Sequence, residues 1–142
     1  VNVRGVVLGV RAASRTLAPG SALSVTASIS GIRGDPGMWT YNASKGAVLN
    51  LVRSLSIDLA RLDIRINAVC PGPIDTPMTA DFDDTGRESL RRSIPLKRWG
   101  QAKEVGAAHS WLLSAKASFV TGVSLPVDGG ISANNGQFPP PE

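Results

Sequence analysis

The sequence predicts an α/β protein built on a doubly wound parallel sheet, seen as its C-terminal half with about three strands and three main helices. Three observations carry that expectation. The β-prone stretches "ALSVTASIS" and "DIRINAVC" are separated by a long amphipathic segment, residues 41–62, and "DIRINAVC" is separated from "GVSLPVDGG" by a second helical segment, 101–115. Strands joined by long helices imply parallel pairing, because a parallel crossover needs about a dozen or more residues, and such crossovers are right-handed. Three strands with three helices also make a thin layer whose first strand would keep an open edge, so a larger sheet is expected.

Each element has its own signal. Val3, Val6, Val7, Val10, Ala13 and Leu17 recur near the helical period, and Pro19-Gly20 stops that helix. "SGIRGDPGM" is a loop by composition. The long helix places Ala47, Val48, Leu51, Leu55, Leu59 and Leu62 on one stripe. In the next strand Ile64, Ile66 and Ala68 alternate with polar residues until Val69 and Cys70, and Pro71-Gly72-Pro73 ends it. Residues 74–100 are polar, punctuated by proline and only partly helical by pattern. The last long helix carries Val105, Ala108, Trp111 and Leu112 on one side. Residues 1–130 therefore read as one domain and 131–142 as a loop or extended tail.

Composition narrows the chemistry. In 142 residues, 42% are hydrophobic and 18% charged, an ordinary globular balance. No run approaches the roughly 20 apolar residues that span a bilayer, so no membrane partner is expected. One cysteine, Cys70, leaves no intrachain disulfide and no Cys-rich metal site, and fits a reducing, cytoplasmic compartment. One histidine, His109, removes histidine triads and histidine metal clusters, so no metal is expected. The net charge is +4, with a local excess at Arg87, Arg91, Arg92, Lys97 and Arg98. Asp81, Asp83, Asp84 and Glu88 lie among these cations and aromatics are 5% of the chain, so a solvated mixed-charge loop fits better than a nucleic-acid footprint. The chain opens on Val1 in mid-pattern and is expected to be part of a longer one.

"WTYNASKGAVLNL" holds the chemistry. Tyr41 and Lys45 stand at i and i+4, so both project from one face at the start of the long helix. A phenol titrates near 10, too high for a base at neutrality. A neighbouring ammonium favours the phenolate, which lets the pair give or take a proton at a carbonyl or alcohol oxygen. Ser28 ends the preceding strand, thirteen residues before Tyr41. The second strand ends at Pro71-Gly72 on the same carboxyl edge, where ligands bind in open parallel sheets. There a glycine lets backbone approach a flat ligand, and Thr76 adds a hydroxyl.

"TASISG", "YNASK", "IRINAVCPGPIDTPM", "PLKRWGQAKEV" and "VTGVSLPVDGG", in this order, resemble the catalytic half of the short-chain dehydrogenase/reductase family, in its compact single-domain branch. The resemblance covers residues 1–130 and implies a Rossmann-type fold and an NAD- or NADP-dependent oxidoreductase acting on a small alcohol or carbonyl substrate. It implies Tyr41 as general acid–base, Lys45 as its partner and a ribose ligand, Ser28 as the group that orients the substrate oxygen, and Asn2 as holder of a relay water. Backbone at Pro71, Gly72 and Ile74, with Thr76, would fix the nicotinamide carboxamide, and residues 76–98 would form a mobile substrate lid. A homo-oligomer, dimer or tetramer, pairing through the first two helices is implied as well. The family's glycine-rich turn and its cofactor-selecting residue would lie before Val1, so these 142 residues alone are expected to bind dinucleotide poorly and turn nothing over.

Plainer readings stand beside these. Tyr41 could be a helix-start aromatic, Lys45 a snorkelling surface cation, and the fold a non-catalytic scaffold for binding or assembly. Ser30 could supply a turn hydroxyl in place of Ser28, and Asn2 could be a cap. Trp39 fits a pocket wall or packing; Trp99 and Trp111 fit core or interface. Cys70 reads as a buried small hydrophobe, His109 as structural, and Arg91-Arg92 as part of a solvated lid.

Overall fold

The computed structural model describes residues 1–134, 137 and 139–141. Three parallel strands, β1 (Ala22–Thr26), β2 (Arg65–Pro71) and β5 (Ser124–Val127), form a sheet in the order β1-β2-β5. Their register runs Ala22↔Arg65 to Thr26↔Val69 and Ala68↔Ser124 to Pro71↔Val127, so all three carboxyl ends reach one edge. Helix α1 (Asn2–Ala13) packs on α2 (Trp39–Ala60), and α2 packs on β2. Helix α4 (Ala102–Leu113) lies against all three strands.

β2 is central, and that changes its reading. Every residue from Ile66 to Cys70 is buried, where alternation had suggested one wet face. Ile66, Ala68 and Cys70 join the core under α2 with Val48, Leu49 and Val52. Asn67 points the other way and is fully buried as well, yet satisfied: it donates to Val120 O (2.9 Å) and accepts from Val123 N (3.0 Å). A strand covered on both faces needs polar side chains only where such bonds await them.

Helix boundaries follow local chemistry. α1 ends at Ala13, short of Leu17, which still packs on the core. In α2 the buried positions are Val48, Leu49, Val52, Ser56 and Leu59, while Ala47 and Leu62 are exposed. The stripe is rotated from the expected one because the helix must face both the sheet and α1. α4 is stapled from β1 and β2. Arg65 donates to the carbonyls of Leu112 (2.8 Å) and Ser114 (3.1 Å), orphan acceptors at the helix end, and to that of Val120 (3.2 Å) beyond it. His109 bridges to Ser24 Oγ (2.6 Å) and Thr26 Oγ1 (3.1 Å), so its structural reading holds, and burial pushes its pKa below the usual value.

The polar stretch after β2 is more ordered than its composition suggests. β3 (Ile74–Asp75) pairs in parallel with β4 (Gly100–Gln101), closing the base of residues 76–99. Between them stands a fourth helix, α3 (Asp84–Ser93), its first turn capped by the Asp83 carboxylate accepting from Gly86 N at 2.7 Å. Of the tail expected over 131–142, Ile131–Ala133 form a 3-10 turn instead of extended chain. Residues 135, 136, 138 and 142 fall outside the described residues.

Candidate active site

The ladder of β1 continues one residue past the strand, with Ala27 N donating to Val69 O at 2.7 Å, and delivers Ser28 to the carboxyl edge. Ser28 is buried and caps the 3-10 turn Ile29–Gly31, its Oγ accepting from Ser30 N at 3.1 Å. The turn hydroxyl is therefore Ser28 itself, not Ser30. Accepting that bond uses a lone pair and leaves the hydroxyl proton to donate.

That turn lies directly against the first turns of α2. A Cβ on Gly31 would stand 2.7 Å from the Lys45 carbonyl carbon and 2.8 Å from its oxygen, closer than real side chains come. Glycine is thus required for the contact. Across it, the Lys45 ammonium sits 5.6 Å from the centroid of the Tyr41 ring and reaches Thr26 O at 3.5 Å. The Lys45 side chain leans over the end of β1 and is half-buried. Burial lowers its pKa from the usual lysine value, and the nearby Cys70 thiol pulls partly back. Cys70 is itself pushed up to about 11, chiefly by burial, with the Ser28 backbone N–H opposing and Asp128 adding to the rise. It is a neutral core thiol at physiological pH, as its reading as a small hydrophobe required.

Asn2 opens α1 without capping it, Val1 being the cap residue. Its amide donates to Ser44 Oγ (3.3 Å), which in turn donates to Tyr41 O (2.7 Å), so Asn2 meets α2 one residue from Lys45. Ser28, Tyr41, Lys45 and Cys70 come together, and Asn2 stands at their margin. Among the described residues no hydrogen bond joins the Tyr41 hydroxyl to Ser28 or Lys45.

The positions after β2 divide by role. Pro71 pairs with Val127 at the end of the ladder. The space left by the missing Cβ of Gly72 is filled by Asp128, whose Cβ would lie 2.7 Å away. The first duty of this glycine is thus to let β2 and β5 end side by side, a different reason from approach by a flat ligand. Ile74 buries its side chain and pairs through its backbone with Gly100. The turn after Thr76 is closed by the Thr79 hydroxyl, which accepts from Thr76 N (3.1 Å) and donates to Ile74 O (2.8 Å).

Residues 76–98 form a folded flap. Arg87 pairs with Asp75 (3.0 Å) and stacks 4.3 Å over the Trp99 ring, which meets Phe82 edge-on. Arg91 and Arg92 both bind Glu88, so they are an exposed charge network and not a waiting phosphate clamp. Trp99 packs within this base, whereas Trp111 is exposed. Trp39 is 78% exposed, which removes the packing reading. A groove of about 510 Å³ runs between Pro95-Leu96 and Asp128–Gly130. None of Ser28, Tyr41 and Lys45 lines it.

Sequence reasoning passed over Arg33 and Asp128. Arg33 donates to the carbonyls of Ile131 and Asn134, and the Asp128 carboxylate accepts from Gly130 N (2.9 Å) and Ser132 N (3.0 Å). The "DGG" turn hinted at the second; nothing in a loop-like "SGIRGDPGM" hinted at the first.

Comparison with known proteins agrees with the fold. The family model described as "Enoyl-(Acyl carrier protein) reductase" matches residues 1–132. Meso-2,3-butanediol dehydrogenase of Serratia marcescens is 43% identical over 112 residues, which are 79% of this chain and 45% of that protein. The crystal structure of a short chain dehydrogenase family protein from Francisella tularensis superposes with a TM-score of 0.86 at 30% identity, over 94% of this chain and 60% of that one. A 4-hydroxyisoleucine dehydrogenase mutant complexed with NADH and succinate gives 0.77 at 28% identity, over 80% of this chain and 47% of the other. The chain spans about half the length of the curated relatives it matches.

Proposed function

The chain belongs to the short-chain dehydrogenase/reductase family, and on that premise we propose that it carries the proton-transfer half of an NAD(P)-dependent oxidoreductase acting on a secondary alcohol or the matching ketone. One observation carries the reading: the Lys45 ammonium held 5.6 Å from the Tyr41 ring at the edge where Ser28 keeps a hydroxyl proton to give.

Each residue has a task that its surroundings support. Tyr41 is the acid–base, protonating a carbonyl oxygen or deprotonating an alcohol. The half-buried positive end of Lys45 favours negative charge on the phenol oxygen, and its donors beyond the long bond to Thr26 suit a ligand hydroxyl. Ser28 donates to the substrate oxygen where charge develops. Asn2 holds a relay water on the lysine side, a role supported by its bond to α2 at Ser44. The backbone at Pro71, Gly72 and Ile74, with Thr76, takes the carboxamide of the dinucleotide. When bound, NAD or NADP supplies or accepts the hydride. The donor set fits the nicotinamide end of such a group: an ammonium, a hydroxyl with its proton available and a phenol converge on a single strand edge.

The flap at 76–98 serves as substrate lid. The exposed Val7 and Leu8 on α1 and Ile57 on α2 suit pairing of copies into a dimer or tetramer. No helix among the described residues is long and apolar enough to cross a membrane, and a cytoplasmic location is part of this proposal.

Tyr41→Phe tests the reading in the protein as its gene encodes it. Turnover of a secondary alcohol should fall about 10²–10⁴-fold, while NADH affinity from fluorescence quenching stays within about threefold. Turnover close to that of the unaltered protein would remove Tyr41 from the mechanism. Quenching without turnover in the unaltered protein would favour a binding role for the fold.

A further inference from the structure

We propose that Arg33 is a positioning residue for the substrate side of the site: through the turn at 128–134 it joins the loop that carries Ser28 to the base of the lid. The proposal rests on the oxidoreductase reading above and names which residues hold that site's outer wall together.

The turn is bound from both sides. On the Ser28 side, Arg33 stands five residues beyond the serine and donates to Ile131 O and Asn134 O. Its half-buried guanidinium meets carbonyl oxygens and, among the described residues, no carboxylate. Ile131 packs against the core cluster that contains Ala27, Ile29 and Cys70. On the lid side, Leu96 N donates to Gly129 O at 3.1 Å. A Cβ on Gly129 would lie 2.6 Å from Ile94 Cγ2, and one on Gly130 3.1 Å from Pro95. Both glycines hold positive φ (64° and 89°), so this bearing surface admits no ordinary side chain. Lys97, where the lid rejoins the fold, donates to Pro140 O at 3.2 Å. Asp128 folds the turn from within through its two accepted N–H bonds.

The connectivity decides what Arg33 does. Among the described residues it makes no hydrogen bond to Tyr41 or Lys45, both of which lie on α2. Its loss uncouples the Ser28 loop from the lid base while the proton-transfer pair stays intact. The effect belongs in how substrate is held, and grows with the substrate's reach towards the lid.

The experiment compares the unaltered protein, as its gene encodes it, with Arg33→Met and Arg33→Lys on secondary alcohols from propan-2-ol to octan-2-ol. NAD⁺ and NADP⁺ are each supplied, and hydrogen exchange of the 129–133 amides is followed in parallel. For Arg33→Met, exchange at these amides should accelerate at least about tenfold, and KM for the longest alcohol should rise at least about fivefold more than KM for the shortest, with kcat for propan-2-ol held within about twofold. Arg33→Lys, which keeps a cation and donors, should recover part of both effects. An unchanged ratio of KM values in Arg33→Met overturns the proposal, as does a fall in kcat shared equally by all the alcohols. If the unaltered protein oxidises none of them, the oxidoreductase reading fails and takes this one with it; turnover with an unmoved ratio sinks this one alone.

Discussion

Replacing Gly31 by alanine places one methyl group where the structure has no room for it. The new carbon would stand 2.7 Å from the Lys45 carbonyl carbon, 2.8 Å from its oxygen and 3.0 Å from Gly46 N. All three are backbone atoms of α2, so no side chain can swing aside. To reach the 3.4 Å at which ordinary contact begins, turn and helix must part by 0.7 Å. Overpacking of this kind costs about 1–3 kcal/mol, a fall in Tm of about 3–10 °C for a domain of this size. The functional cost is larger, because the displacement separates Ser28 from the Tyr41–Lys45 pair. A misplacement of about 1 Å at a reacting centre can cost on the order of 100-fold, so kcat/KM should drop at least roughly tenfold. Calorimetry and steady-state alcohol oxidation read the two effects side by side. An alanine variant that melts and turns over like the unaltered protein would show that this contact does not set the site's geometry.

Two further outcomes follow from charges. Arg65→Met strands the carbonyls that end α4, and with charged hydrogen bonds worth about 1.5–3 kcal/mol each and not additive, a loss on the order of 3 kcal/mol is expected by denaturant titration; no change in midpoint would show that water replaces the guanidinium. Glu88 beside Arg91 and Arg92, and Glu104 beside Arg98, are both held at about 2, mainly by those side-chain hydrogen bonds. A depressed carboxylate pKa means that stability is present above the ordinary range near 4.5 and lost as pH falls towards about 2. Protection of the α3 amides, taken relative to the intrinsic exchange rate at each pH, should therefore fall over that window, and less so in high salt because the pairs are exposed. Protection independent of pH there would remove the network from the account of the lid.

The three strands, their parallel order and the long helices were legible because each carries a strong local period, and the shared face of Tyr41 and Lys45 was legible because residues four apart lie on one side of a helix. What escaped was set by contacts between distant segments. β3 and β4 are two residues each, too short to leave a pattern, and exist because residues 74–75 and 100–101 close a loop. Asn67 looked like the polar beat of a half-exposed strand, yet it is buried because α4 and the 120–123 segment roof that face. Gly72 invited a ligand-centred explanation until Asp128 was seen in the space beside it. Arg33 bears no motif, since its partners are main-chain oxygens some hundred residues away.

Ser28, Gly31, Tyr41 and Lys45 all fall within eighteen consecutive residues, and the contact between the Ser28 turn and α2 closes with almost no loop to order. The flap and the closing turn are fastened by separate bonds from elsewhere in the chain. The Ser28 turn and the first turns of α2 are therefore a short-range unit, fastened separately from the flap. Grafting a foreign flap onto residues 76–98 should leave the contact between the Ser28 turn and α2 in place, whatever it does to the molecules accepted.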